Sequence, residues 1–492
     1  MAIIVEQKPA FLATPANTEL VFVINEDTGL LVNETYVKIC CSITLSNFRN
    51  YASPIQAGEF KASPNGAGVC IFDLGGILES YVKPDYSGMN SLLPLASSTM
   101  QGNAYDENAY YHPVHCIDKY AYSGQSTKYF TITWEIEFLG GGGTAGVIEK
   151  NGMVAGSEGF IYNGVVYPTD TLVYPNVGFV DYGFDSSPYI LKSTVGGAGS
   201  GGFITDAPKT QQATINDYGT LSFFNDFDDS TYSFTTGNNT LNPPTLDKIT
   251  LTLYDSAGAS LGTQDVSNRQ ADGGWSGLGS DIGTNQENKT KLLYCGLFPA
   301  NLRGWSATFN ANLANLSYYT IQAYDSNSDP MGDEYRINII DECLYTPVRI
   351  TWLNRLGTWD YYTFQKKSTR KLNTKRKTYT KLNGTWNAAT FNINRQRGGQ
   401  KNYDVSTQET ITVNSDYMSE ADSVWLEQLF TAQDMYIVKP YNTYVAGTVT
   451  NEFLEPVNLT NSSYKRKTKL NDKLIQYSFD FKRVTTRKTQ RP

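Results

Sequence analysis

The sequence predicts a mainly β, multi-domain protein, with β-sandwich modules of immunoglobulin or fibronectin type and a C-terminal α+β module containing one long helix. Three observations carry that expectation. Tyr, Thr, Asn and Gly abound, with 34 Tyr and 42 Gly among 492 residues, while apolar residues at helical spacing are few. Several stretches instead alternate apolar and polar side chains with period two. The length exceeds what one core serves, and about 150 residues per domain gives roughly three. Hydrophobic content is only 40%, but 34 Tyr, 23 Phe and 7 Trp bury large areas per residue, so packed cores are expected.

Residues 1–139 read as an N-terminal β-rich domain. Strand signals lie at Ala2 to Val5, Glu19 to Ile24, Tyr36 to Leu45 and Ala67 to Phe72. Asp73 stands at an N-cap position before Leu74, Ile77, Leu78 and Tyr81, a short amphipathic helix ending by Pro84. In Lys128 to Leu139, Phe130, Ile132, Trp134, Ile136 and Phe138 alternate with polar residues and should cover a core. Residues 140–202 begin and end in glycine runs and read as a glycine-rich insertion or loop module. Residues 203–342 read as a β-sandwich, with strands at Leu221 to Phe224, Lys248 to Tyr254, Lys291 to Leu297, Ser317 to Tyr324 and Glu334 to Asp341, and no helix signal.

Residues 343–492 form a basic α+β oligomerisation module. Val348, Ile350 and Trp352 alternate with Arg349, Thr351 and Leu353, and the turn residues Asn354 to Gly357 precede a second β-branched and aromatic run, Thr358 to Phe364. This is a hairpin with Gly357 at positive φ. Ser419 and Asp422 make a variant capping box for a long helix that presents Ala421, Val424, Trp425, Gln428 and Leu429 on one face. Strands follow at Met435 to Val438 and Leu474 to Val484, with Glu455 to Leu459 as an edge strand because of Pro456.

The hairpin runs into a basic arm: Lys366, Lys367, Arg370, Lys371, Lys375, Arg376, Lys377 and Lys381, with no acidic residue among them. Basic residues recur at Lys465 to Lys469, Lys482-Arg483, and Arg487, Lys488 and Arg491. Such density serves a protein partner, sequence-independent contact with double-stranded DNA, or simply a solvated strand; no base-reading motif accompanies it. Residues 341–492 hold 24 Lys+Arg against 14 Asp+Glu, so the net charge of −8 divides into +10 there and −18 in residues 1–340. Opposite charge at two ends favours head-to-tail association between copies; the plainer alternative is two domains that differ only in solvation.

Catalytic marks are missing. The sequence lacks GxSxG, GxxxxGK[ST], HExxH and a GxGxxG after a strand, so no enzyme activity is expected. His112, His115 and Cys116 lack a second ligand pair, and Pro113 opposes the helix on which paired His ligands sit, so a loop is the better reading and no cofactor or metal is expected. Asp226, Asp228 and Asp229 have the carboxylates of a calcium loop or a glycosidase pair, without the glycine and distal glutamate of an EF-type loop. Cys40, Cys41, Cys70, Cys116, Cys295 and Cys343 show no zinc spacing and read as buried free thiols, with Cys40 and Cys41 on opposite faces of a strand. No stretch approaches the roughly 20 apolar residues of a membrane span, and the N-terminus MAIIVEQKPAF lacks a signal-peptide pattern.

Several stretches resemble virion tail structural proteins of tailed phages that infect Bacteroidetes-type hosts, including crAss-like phages. They are Phe72-Asp73-Leu74 with Ser80-Tyr81-Val82, Phe203 to Pro208, Arg349 to Asn354 with Gly357 and Asp360, and Trp425 to Phe430 followed by Pro456-Val457 and Leu474 to Tyr477. The resemblance implies a homo-oligomeric ring of the tail, tail hub or baseplate, assembled in the host cytoplasm beside neighbouring tail proteins, with no catalytic residues to carry over. The alternative is a peripheral receptor- or carbohydrate-binding tail protein using Tyr110, Tyr111 and Trp275 as sugar platforms, although aromatic residues in β proteins are more often core.

Overall fold

A computed structural model describes residues 3–9, 13–26, 29–47, 54–85, 120–121, 125–140, 148–167, 170–176, 179–193, 199–225, 246–267, 291–303, 306–325, 327–340, 344–439, 454–466 and 475–484. The fold is mainly β. The chain divides into two compact units: Met1–Ile340 with Leu353–Asp360, and Asp341–Trp352 with Tyr361–Pro492. Among the described residues no helix is long and apolar enough to cross a membrane.

The first unit contains two facing sheets at its N-terminal end. Five strands run in the order Ala13–Asn17, Ile148–Val165, Thr127–Leu139, Thr35–Ser46, Ile55–Ala62, and three in the order Ile3–Gln7, Val21–Glu26, Val69–Asp73. Period-two patterning explains the register: Ile39, Cys41, Ile43 and Leu45 stand opposite Ile136, Trp134, Ile132 and Phe130, and all eight are buried. Phe22 and Phe72, from the smaller sheet, place their rings 5.9 and 5.2 Å from that of Trp134. Residues 148–165, part of the stretch expected to be a loop module, are a full strand of the larger sheet. The N-cap is corrected from Asp73 to Leu74, whose side chain makes no capping bond; the Asp73 carboxylate, one residue earlier, accepts from Gly75 N–H at 3.1 Å and Leu20 N–H at 3.0 Å. The helix that follows is short, Gly75–Leu78 with a 3-10 turn Glu79–Tyr81. Cys40, Cys41, Cys70 and Cys295 are free and buried; Cys116 and Cys343 lie outside the described residues.

Further along the unit, a five-stranded sheet has the order Thr210–Ala213, Pro330–Ile339, Tyr318–Asp325, Leu246–Tyr254, Ser260–Ser267, its first pair parallel. A three-stranded sheet combines Leu221–Asn225, Lys291–Cys295 and Tyr120–Ala121. All five expected strands of this region are present. The absence of helix is corrected: Pro299–Arg303 and Ala307–Asn312 are helical. Neither is long enough to show an apolar period, and the legible signal was Ser306, whose hydroxyl caps Phe309 N–H at 3.0 Å.

The second unit is built on a seven-stranded sheet ordered Trp359–Phe364, Val348–Leu353, Met435–Val438, Leu454–Leu459, Ser478–Arg483, Gly399–Asn414, Thr369–Lys381. Ser419 caps Asp422 N–H at 3.1 Å as expected, and Trp425 is the buried anchor, its ring 5.1 Å from Trp352. The single long helix is corrected to two short ones, Glu420–Leu426 and Gln428–Thr431. Val424, expected inside, is exposed, while Leu426 and Leu429 are fully buried. Pro456 does not mark an edge. Residues 454–456 pair with Met435–Val438 on one side and 457–459 pair with Ser478–Arg483 on the other. The ladder therefore changes sides at the proline. Arg349 and Thr351, which alternate with Val348, Ile350 and Trp352, are buried as well; Arg349 donates to Thr363 Oγ1 at 2.8 Å and lies over the Tyr361 ring. That polar pair supplies the hydrogen bonding a second covered face requires.

Replacing Trp134 with Ala removes the ring on which Phe22 and Phe72 converge. Equilibrium denaturation followed by circular dichroism is expected to show a loss of about 3–5 kcal/mol.

Candidate functional site: a projecting basic hairpin

The eight basic residues singled out from the sequence surround one structural feature. Lys366 and Lys367 lie in the connection after Trp359–Phe364, and Arg370, Lys371, Lys375, Arg376, Lys377 and Lys381 lie on the strand Thr369–Lys381. This strand pairs antiparallel with Gly399–Asn414 over its whole length. Among the described residues only Thr410 to Asn414 of that partner has another strand neighbour, Ser478–Arg483. From Leu372 opposite Glu409 to Lys381 opposite Gly399, the chain is a two-stranded ribbon, about 33 Å long at a rise of about 3.3 Å per residue.

Both faces of the ribbon meet solvent: nearly every residue of Thr369–Lys381 is exposed. Strand alternation gives the faces different characters. Lys371, Lys375, Lys377, Tyr379 and Lys381 share one, and Arg370, Leu372 and Arg376 share the other. A register shift between Lys377 and Thr378 sets Tyr403 near Tyr379, with ring centroids 6.3 Å apart. Among the described residues two ion pairs reach the arm, Lys366–Asp416 at 2.9 Å and Lys377–Asp404 at 3.5 Å. The base is braced, since Arg483 pairs with Glu409 at 2.8 Å and with Glu455, which also meets Lys439 at 3.0 Å. Arg483 is thus a structural residue rather than part of a free basic surface, and Arg466 likewise pairs with Glu427 at 2.7 Å. Lys467, Lys469, Arg487, Lys488 and Arg491 lie outside the described residues.

Sequence reading missed the end of the arm. A small hairpin, Gly384–Trp386 with Phe391–Ile393, crowns the ribbon, and Leu382, Trp386, Phe391 and Ile393 are exposed by 79, 67, 54 and 67%. The available signal was a cluster of large apolar residues inside a basic, turn-rich stretch.

A second feature lies in the first unit, where the turn Leu353–Asp360 belongs. Asn354 Oδ1 accepts from Leu356 and Thr358 N–H, both at 3.0 Å, and its Nδ2 donates to Thr358 Oγ1 at 2.9 Å and Asp360 Oδ1 at 3.0 Å. Gly357 has φ +81°, and a Cβ there would collide with the Asn163 carbonyl. Arg355 pairs with Asp170 and Asp206 and donates to Tyr189 Oη at 3.2 Å. Burial disfavours the guanidinium charge, but the Asp206 hydrogen bond and charge more than offset this, so Arg355 is held protonated. Burial, then Asp206, pushes the Tyr189 phenol up, keeping it neutral. Every member is satisfied within the protein, so this is an anchor.

One cluster has the donor types of a metal site: Cys40, Glu59 and Glu137, with ligand atoms within 4.8 Å of one another. Lysines already occupy it. Lys61 lies 2.5 Å from Glu137, and Lys150 lies 2.7 Å from Glu59. Burial, then the Glu137 charge, pushes the Cys40 thiol up to about 11, so the ligating thiolate is disfavoured. His112, His115, Asp226, Asp228, Asp229, Tyr110, Tyr111 and Trp275 lie outside the described residues.

Comparison with known proteins finds no matching family model and no matching curated sequence. Among solved structures, native alpha-2-macroglobulin of E. coli matches at 9% identity, over 84% of this chain and 22% of that one. Its TM-score of 0.18 is too low to indicate a shared fold.

Two outcomes check these assignments. Arg355→Ala leaves Asp170 and Asp206 without their cation and is expected to cost about 3 kcal/mol in denaturant unfolding, with only partial rescue by Arg355→Lys because lysine lacks the planar fork. Replacing Lys371, Lys375, Arg376 and Lys377 together by Gln is expected to leave the melting temperature nearly unchanged, since all four are exposed.

Proposed function

We propose that this protein is a structural component of a phage virion, a homo-oligomeric ring in the tail, tail hub or baseplate that docks against neighbouring tail proteins. The observation that carries the reading is the basic ribbon, which leaves the body of the second unit with both faces open. An isolated two-stranded hairpin is marginal in water, so a ribbon of this length calls for a partner. Three further features support an assembly role: the resemblance of the stretches quoted above, the +10 and −18 division of charge, and polar residues at the hairpin turn that are all consumed in internal anchoring. Contact with double-stranded DNA in a channel fits the same lysines, because phosphate contact needs positive density and no base-reading motif.

Mass photometry with negative-stain imaging across protein and salt concentration tests the reading. Closed rings of uniform size, dissociating as salt screens the opposed charges, are the expected result. A monomer under every condition, with and without tail proteins from the same virion, would sink it.

A further inference from the structure

We infer that the end of the arm, with its basic face, docks on the acidic first unit of a second copy of this chain; the inference rests on the oligomeric reading above and names the surface that makes the contact. Three observations converge. The tip gathers Leu382, Trp386, Phe391 and Ile393, four large apolar side chains exposed by more than half, at the extremity of a ribbon with no third strand beyond Glu409 among the described residues. Exposed apolar groups concentrated at the end of a projection serve burial against a partner; lysines alone would suffice to keep an edge strand from pairing.

The charge selects the partner. From Lys366 to Lys401 the chain holds eleven Lys and Arg and no Asp or Glu, whereas residues 1–340 carry −18. Arm-to-arm pairing of two copies would set these positive charges side by side, so the twofold arrangement is disfavoured. An arm on the acidic unit of the next copy is a heterologous contact, and such contacts close into rings when the rotation permits. DNA suits the lysine face, but burying aliphatic Leu382 and Ile393 in a duplex requires wedging them between base steps at the cost of unstacking, whereas a protein surface receives them without that cost.

The test places the photo-crosslinking residue p-benzoylphenylalanine at position 386 of the otherwise intact chain. A parallel variant carries Trp386→Ser and Phe391→Ser, both exposed positions whose replacement spares the core. On irradiation, a cross-linked dimer is expected whose second peptide maps within residues 1–340 of the other copy, and whose yield falls at least tenfold as salt is raised. The double variant, with an unchanged melting temperature, is expected to lose at least tenfold in oligomer population at equal concentration. Capture of another copy's arm, of added duplex DNA, or of nothing overturns the inference. If the unaltered chain and the double variant form the same rings, the arm contact is wrong and the ring stands. If position 386 captures residues 1–340 of a second copy while no closed ring forms, the contact stands and the ring is wrong.

Discussion

A guanidinium held by two carboxylates at the end of a hairpin ties the first unit together. Arg355 meets Asp170 and Asp206, and the turn that bears it is cross-linked to the chain 150 residues earlier. Thr358 Oγ1 donates to the Ile204 carbonyl at 2.6 Å, and Thr205 Oγ1 donates to Asp360 at 2.6 Å. Beside it, Trp359 Nε1 donates to the Asp85 carbonyl at 3.3 Å, and the buried Asp85 carboxylate accepts from Ser126 Oγ at 2.6 Å and Tyr294 Oη at 3.2 Å. Segments near 85, 170 and 205 are thus fixed by groups within one turn, and Asp85 in turn holds those near 126 and 294. Buried polar groups cost stability unless all are paired, so this density of satisfied bonds enforces one arrangement of the loops between sheets.

That anchoring explains the division of labour along residues 343–409. The hairpin's turn belongs to the first unit, while most of its strands belong to the sheet of the second. The polar residues at the turn are consumed by internal bonds, leaving little there to bind a ligand. The next excursion of the chain, from Thr369 to Asn414, is the reverse case: its base is pinned by Arg483, Glu409 and Glu455, and among the described residues no third strand joins its outer part. Two successive hairpins thus contrast in how their side chains are spent. One turn bonds Asn354, Arg355, Thr358 and Asp360 inside the protein, and the other keeps apolar and cationic side chains in water.

Much of the fold was legible because it depends on local rules. Period-two alternation located the strands around Ile43, Trp134 and Leu251, Ser419 marked a helix start, and Gly357 lies at the positive φ its turn required. What escaped depends on distant partners. The burial of Arg349 depends on Thr363 and Tyr361, 12–14 residues away, and Pro456 reads as an edge until its strand is seen to change neighbours. The basic arm was legible as charge and not as shape: nothing between Lys366 and Lys381 announces that residues 399–414 fold back along it, since polar strands lack the alternation that reveals a buried face. Its apolar tip was overlooked for a related reason, because Trp386 and Phe391 in a sequence are ordinarily core.

The charge division acquires meaning through that shape. Spread over a globular surface, +10 against −18 would produce weak attraction that a Debye length of about 8 Å in physiological salt largely erases. Concentrating the positive charge on a two-stranded ribbon would change the balance, because the lysines would accompany the apolar tip into the surface proposed to receive it. The apolar side chains would supply the driving force, and the lysines would decide which surface is acceptable and which, another arm above all, is refused. On the proposed reading the ribbon would couple two modest effects, each insufficient alone, into a contact with direction, and direction is what a ring needs and a symmetric dimer does not.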